Sequence, residues 1–321
     1  MVLYNMKPII RICYHYTQGL ENDANIIKEC LKDYTVLLYT YSETDYAKNR
    51  NINVNIEKVK ITIFLEHIYK ELMKFGEKTF LIPNLEWLNQ YDIENMKQIE
   101  TILCKTKDSY ETIKRMFPKK NISYMNFTSK DRKRDEIKPN YEKYLHVKGI
   151  SNYKNTQMIL NIWMKHEEWP MLTIIHYGTL EIDIPIKVKT NITMIQKKVN
   201  EEVLERIMNE NGVHICCSYA EGFGHYINEG RSVGAVVLTT NGAPMNEMSK
   251  KVVPVKTTKP IMCSTGYIIE EKDVENEIKK IIKTKKKELI KIGNENRKNY
   301  TTQKENFKKR LNDIISHELS S

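Results

Sequence analysis

The 321-residue chain is poor in glycine, with 12, and in proline, with 9. That scarcity excludes collagen-like and low-complexity architectures. No apolar run reaches the about 18 residues of a membrane-spanning helix, and the mean hydropathy is −0.54. Met1 to Tyr16 lacks an apolar core followed by a small-residue cleavage site, so no secretion signal is expected. The six cysteines form no C-x-x-C pair and no zinc-ligand spacing. Five of them lie in apolar stretches and read as buried free thiols of a reducing, cytoplasmic protein. The N-x-S/T triplets at Asn121, Asn126, Asn191 and Asn299 then carry no glycosylation. No repeat of solenoid length is present.

An excess of acid is also lacking. The chain has 51 Lys+Arg against 41 Asp+Glu, a net charge of +10. This permits an anionic partner without choosing among nucleic acid, acidic lipid and a phosphorylated substrate. Richness in Lys, Asn and Ile together is also what an AT-rich genome produces.

What is present is strand–helix alternation, at a length suited to two domains. Ile9–Tyr14, Val36–Tyr39, Thr79–Ile82, Ile102–Lys105 and Ile122–Met125 read as strands, with an apolar helix face at Ile26, Ile27, Cys30 and Leu31. Ser129–Asn140 is densely charged and reads as an interdomain linker. The alternation then restarts with strands at Tyr144–Val147, Leu172–His176, Ile192–Ile195, Val213–Cys217 and Val236–Thr239, and a helix over Met158–Trp163. Ile278 through Ile292 read as one amphipathic helix, and Phe307–Ile315 as a second that needs a partner surface. The pattern predicts α/β folding with mostly parallel sheets. It divides into residues 1–138, 139–300 and a terminal helix over 301–321.

The chemistry concentrates in Val213–Met248. A buried strand leads into Glu221-Gly222-Phe223-Gly224, and a helix starts near His225. Glycines let backbone approach a phosphate, and the helix N-terminus favours negative charge. Glu221 and Glu229, eight positions apart, are suited to accept hydrogen bonds from sugar or ribose hydroxyls. A second loop, with Gly242, Ala243 and Pro244, follows the next strand, and Asn246-Glu247 reads as the start of another helix.

This segment resembles the nucleotide-sugar site of retaining GT-B glycosyltransferases of the family-4 type. Glu221, Gly222, Phe223, Gly224, Glu229, Gly234, Pro244 and Glu247 match their E-x7-E pattern. LHVKGISNYKNTQMILNIW, from Leu145, is similar to the family's first donor-domain strand, loop and helix. The N-terminal half offers only PNLEW (Pro83–Trp87) and CKT (Cys104–Thr106). The resemblance implies two Rossmann-like domains facing across a cleft, with the C-terminal helix crossing back to the N-terminal domain. It implies transfer of a hexose-type sugar, with retention, from a nucleotide-diphosphate sugar to a glycan, lipid or other hydroxyl acceptor. Neither a metal nor a cofactor is expected.

By the same resemblance Glu221 would bind the sugar, Glu229 the ribose and Lys154 the diphosphate. Gly149, Ser151, Gly222, Phe223, Gly224, His225, Gly242, Ala243 and Pro244 would complete the donor site. His15, Gly19, Asn84 and Glu86 would stand on the acceptor side. Two departures concern the donor loop: Ile150 and Ser151 replace an expected Arg after Gly149, and Asn155 replaces a glycine. Lys148 or Arg231 would then help to grip phosphate. A third is in the N-terminal loop, where Gly19 stands in place of a Gly-Gly pair. Two alternatives stay open: a DNA base-modifying glycosyltransferase, motivated by the charge, and a non-catalytic nucleotide-sugar-binding partner subunit. Contact with a membrane surface stays open as well.

Overall fold

The computed structural model describes residues 7–41, 56–177, 183 and 189–320. The first six residues of the stretch read for a secretion signal lie outside them. The chain forms two compact units: residues 1–129 with 304–321, and residues 130–303.

In the first unit the strands are β1 (Ile9–His15), β2 (Thr35–Tyr41), β3 (Val59–Leu65), β4 (Gly76–Ile82), β5 (Thr101–Cys104) and β6 (Asn121–Tyr124). The helices are α1 (Gln18–Cys30), α2 (Lys70–Met73), α3 (Gln90–Asn95) and α4 (Lys107–Met116). The sheet order is β2-β1-β3-β4-β5-β6, all parallel. Central strands of such a sheet are covered on both faces, so they read as near-continuous apolar runs. Ile10, Ile12, Ile61, Ile63, Phe80 and Leu81 are all fully buried.

β3 is a strand not among those expected, although its β-branched residues and early alternation suit one. Lys60 and Thr62 interrupt its run. Lys60 is exposed and pairs with Glu77 on β4 at 2.8 Å. Thr62 is buried at Gly76, where a Cβ would meet its hydroxyl at 2.7 Å.

The second unit repeats the plan with β7 (Asn140–Gly149), α5 (Thr156–Met164), β8 (Met171–His176), β9 (Ile192–Ile195), α6 (Glu201–Glu210), β10 (Asn211–Cys216), α7 (His225–Ser232), β11 (Val236–Thr240) and β12 (Lys251–Val253). The order β12-β11-β10-β7-β8-β9 is again wholly parallel. Trp163 and Trp169 sit in its apolar core with Tyr144, Leu172, Ile215 and Leu238. An antiparallel hairpin, β13 (Thr257–Ile261) and β14 (Ser264–Ile268), is added. Helices α8 (Glu271–Ile282) and α9 (Lys286–Ser320) close the chain.

The boundary between the units falls between Ser129 and Lys130, at the start of the charged stretch read as an interdomain linker, and the rest of that stretch belongs to the second unit. Arg132 is 4% exposed, Asn209 donates to its carbonyl at 2.7 Å, and Arg134 and Asp131 pair with Glu205 and Arg297. Partnered charges let this segment pack on α6 and α7. The single helix expected over 278–292 is two, because the chain leaves helical geometry at Lys283–Lys285, where the Thr284 hydroxyl donates back to the Lys280 carbonyl. Asn246-Glu247 starts no helix beyond one turn, Met245–Glu247, before β12.

The expected terminal helix is the distal part of α9. From Lys304 onward it belongs to the first unit. Phe307 meets Phe127 edge-on at 4.9 Å, Asn312 donates to the Cys30 carbonyl at 3.1 Å, and Ser316 bonds the Tyr34 hydroxyl at 3.0 Å. No helix among the described residues is long and apolar enough to cross a membrane.

Candidate functional site

In an open parallel sheet, ligands bind outside the carboxyl ends of the strands, where the strand order reverses. In the second unit that point lies between β7 and β10. β7 ends in Gly149, whose φ is +60°, and β10 runs into the loop that carries Glu221. Gly224 holds φ +91° as the residue before α7. A Cβ there would meet Ile227 at 2.9 Å, so the position needs glycine on both counts.

Lys154 and Glu221 are brought to one place through two residues that the sequence does not single out. The Lys154 ammonium lies 3.6 Å from the centroid of the Tyr226 ring, a cation–π contact. The Tyr226 hydroxyl hydrogen-bonds Ser218. Ser218 in turn donates to Glu221 Oε1 at 2.6 Å. Burial pushes the Tyr226 phenol well above its usual range, so it stays protonated and can donate to Ser218. Two buried hydroxyls therefore connect the Glu221 carboxylate to the ring on which the Lys154 ammonium rests.

His146 ties together the elements that carry this line. Its Nδ1 pairs with the Ile215 carbonyl and its Nε2 with the Thr156 hydroxyl, both at 2.8 Å. This joins β7, β10 and the start of α5. Burial pushes its pKa down to about 4, so it is neutral.

Asn155 explains one departure from the family pattern. Its φ of +51° is left-handed, a conformation that favours glycine and tolerates Asn best among the other residues. Its amide donates to the Cys217 carbonyl at 3.0 Å. Ser151 accepts from the Tyr153 N–H at 3.3 Å. Phe223 is buried and meets the His225 ring edge-on at 5.2 Å. Gly242 backs onto Tyr267 of the hairpin, where a Cβ would lie 2.4 Å from the ring. Ala243 and the buried Pro244 follow through a cis peptide.

Glu229 has a counter-ion of its own. It is 8% exposed on α7 and ion-paired with Arg132 Nε at 2.9 Å. Arg132 has no counterpart in the sequence reading, because it lies in the segment taken for a linker. Arg231 donates to Asn228 and Gln303, and Lys148 to Asn152.

In the first unit the order reverses between β1 and β3. There His15 ends β1, and Glu66 and His67 follow β3. Both imidazole Nε2 atoms lie 3.6 Å from Glu66 Oε1. Asn84, after β4, donates to Glu66 Oε2 at 2.6 Å and accepts from Lys105 at 2.7 Å. Lys105 is buried against Asp23. His67 Nδ1 meets Asp92 at 2.7 Å. Burial presses its pKa down, but the Asp92 bond and the charges of Asp92 and Glu66 outweigh this and raise it. His15 and Asn84 thus share one cluster. Glu86 is half-buried on the turn after β4, Gly19 is exposed in the first turn of α1, and Trp87 is 50% exposed. Glu66, His67 and Asp92 carry no sequence motif; only the topology gathers them.

No protein-family model and no curated protein matches the sequence. Solved structures do. The E. coli trehalose-6-phosphate protein bound with UDP-2-fluoro glucose is 10% identical, with a TM-score of 0.68 over 98% of this chain and 99% of that one. The alpha,alpha-trehalose-phosphate synthase (UDP-forming) from Burkholderia vietnamiensis is 8% identical, with a TM-score of 0.67 over 98% and 99%. A chain of the GtfA/B complex is 12% identical, with a TM-score of 0.62, and this chain covers 58% of its length. At these identities the likeness shows the fold: two Rossmann-like α/β units and a long C-terminal helix, the GT-B architecture.

Proposed function

We propose that the chain is a nucleotide-sugar-dependent glycosyltransferase whose second unit binds the donor. The observation that carries this reading is the line Lys154–Tyr226–Ser218–Glu221 at the strand-order reversal, beside the N-terminus of α7. Likeness in fold to proteins whose names include a UDP-forming sugar-phosphate synthase supports it.

In this reading the leaving diphosphate gains negative charge as the glycosidic bond breaks. The Lys154 ammonium and the helix N-terminus stabilise that charge where it develops. Glu221, held by Ser218, accepts hydrogen bonds from hydroxyls of the transferred hexose. Glu229 serves the ribose while keeping Arg132 as its counter-ion. The leaving phosphate takes the acceptor proton on the face it departs from, and the anomeric configuration is retained. The acceptor is a glycan, lipid or other hydroxyl compound, with His15, Asn84 and Glu86 on its side.

A thermal-shift panel of UDP-, GDP-, ADP- and TDP-sugars tests the donor. At 100 times its dissociation constant a ligand adds about 2.7 kcal/mol, a rise of about 4–7 °C. One donor should shift the wild type and lose its effect on Glu221→Ala. An inverted product by NMR would sink the retaining mechanism. The Glu229–Arg132 ion pair favours a second reading, a nucleotide-sugar-binding subunit without transfer. Tight donor binding with neither transfer nor donor hydrolysis selects it.

A further inference from the structure

We propose that His15, Glu66 and His67 form a divalent-cation site, suited to zinc, at the strand-order reversal of the first sheet. Each offers one ligand atom, and the three atoms lie within 4.8 Å of one another. Both imidazole Nε2 atoms stand 3.6 Å from the same carboxylate oxygen. Tetrahedral zinc with N and O ligands at about 2.0–2.2 Å sets them about 3.4 Å apart, close to the two nitrogen–oxygen separations of 3.6 Å.

The surroundings match what a metal needs. His67 Nδ1 pairs with Asp92, whose other oxygen accepts from the Ile68 N–H at 2.9 Å. With its proton on Nδ1, His67 turns the Nε2 lone pair toward Glu66. Carboxylate–histidine pairs of this kind fix the ring and raise its basicity as a ligand. Asn84 occupies Glu66 Oε2, which leaves Oε1 directed at the two rings.

The backbone is arranged for it as well. Side chains of consecutive strand residues point to opposite faces. Glu66 takes a left-handed φ of +68°, and this turn lets Glu66 and His67 address one point. The three side chains are 13%, 9% and 13% exposed, enough for entry of an ion and a fourth ligand. Two histidines and one glutamate are a recognised zinc ligand set, and three protein ligands leave one position for water or a substrate oxygen. The facing charges are Asp92, Asp23 and Lys105, the last held by Asp23 and Asn84. The proposal does not depend on the donor reading, because every group in it belongs to the first unit.

The test uses the untagged full chain, stripped with chelator and titrated with Co2+ and then Zn2+. The expected result is one equivalent bound, visible d–d bands, and no thiolate-to-cobalt charge transfer. His15→Ala and Glu66→Gln should lose that equivalent, and Asp92→Asn should weaken it about 10–100-fold. Circular dichroism of the stripped variants checks folding. X-ray absorption of the zinc-loaded wild type reads the ligands without any substitution, and a shell of N and O alone is expected. A sulfur ligand, no stoichiometric binding, or binding unchanged in His15→Ala by a folded chain would overturn the proposal.

Discussion

The two units share a sheet plan but not a chemistry. Each has six parallel strands with one reversal of strand order. At the reversal the second unit offers glycines in left-handed turns, one lysine and one carboxylate backed by hydroxyls. The first offers two histidines and a glutamate within a network of buried charges. Topology decides where a crevice opens, and the residues that end the strands decide what it holds. In the readings proposed above, the second crevice lets backbone approach an anion and the first gathers electron-pair donors.

Both units bury an ion pair, and removing one partner should give the largest stability effect. Arg132 is 4% exposed and pairs with Glu229; Lys105 is 3% exposed and pairs with Asp23. Stranding a buried charge costs about 3–5 kcal/mol. Urea unfolding of Arg132→Met and of Lys105→Met should each show a loss of that size. Arg132→Met/Glu229→Leu should recover most of it. If Lys105→Met were neutral, the contrast between a charge-built first crevice and a backbone-built second one would fail.

Next in size is the contribution that the proposed function assigns to Lys154. Loss of one preorganised electrostatic contact costs about 10²–10³ in kcat. Lys154→Ala should show this in steady-state transfer with whichever donor the panel selects. Cobalt binding at His15 should stay intact, which would separate the two crevices functionally.

Acid should separate the units further. His146 and His214 in the second unit are neutral, pushed down to about 4 by burial. In the unfolded chain they titrate near pH 6.5. The unfolded state therefore binds more protons between those values. Stability is full above about pH 6.5 and falls below it by about 1.4 kcal/mol per unit for each histidine. Trp163 and Trp169 report on this unit. In a Trp87→Phe background their urea transition should lose about 3 kcal/mol between about pH 7.5 and 5.5. No loss would mean that the His146 bridge does not hold a neutral ring.

How far the sequence discloses this depends on how local the signal is. The runs IIRICY and VHICC become β1 and β10 because strands covered on both faces carry uninterrupted apolar residues. The loop from Glu221 to Gly224 and the helix after it are legible because glycine, acid and helix start are adjacent. The hairpin β13–β14 is not, because its first strand is exposed along most of its length and shows no alternation. Nor is the break before α9, where no Gly or Pro marks the turn at Lys283–Lys285. Ser218 and Tyr226 look like filler until the fold sets them between Glu221 and Lys154. His15, Glu66, His67 and Asp92 are spread over three connections, and nothing but the sheet order joins them.

The smallest effect tests the donor loop itself. Asn155 departs from the glycine of the family pattern, and the left-handed φ of +51° shows what that glycine supplies. A residue with a Cβ and no polar side chain pays about 1–2 kcal/mol for this conformation. Loss of the bond to the Cys217 carbonyl costs about 0.5–1.5 kcal/mol more. Asn155→Gly should lose only the hydrogen bond, whereas Asn155→Ala should lose both. The difference between the two variants in urea unfolding therefore isolates the backbone contribution. Lys154 is the preceding residue, so Asn155→Ala should also weaken donor binding in the thermal-shift panel more than Asn155→Gly does. Equal effects would mean that the amide of Asn155, and not its backbone, sets the position of Lys154 over Tyr226.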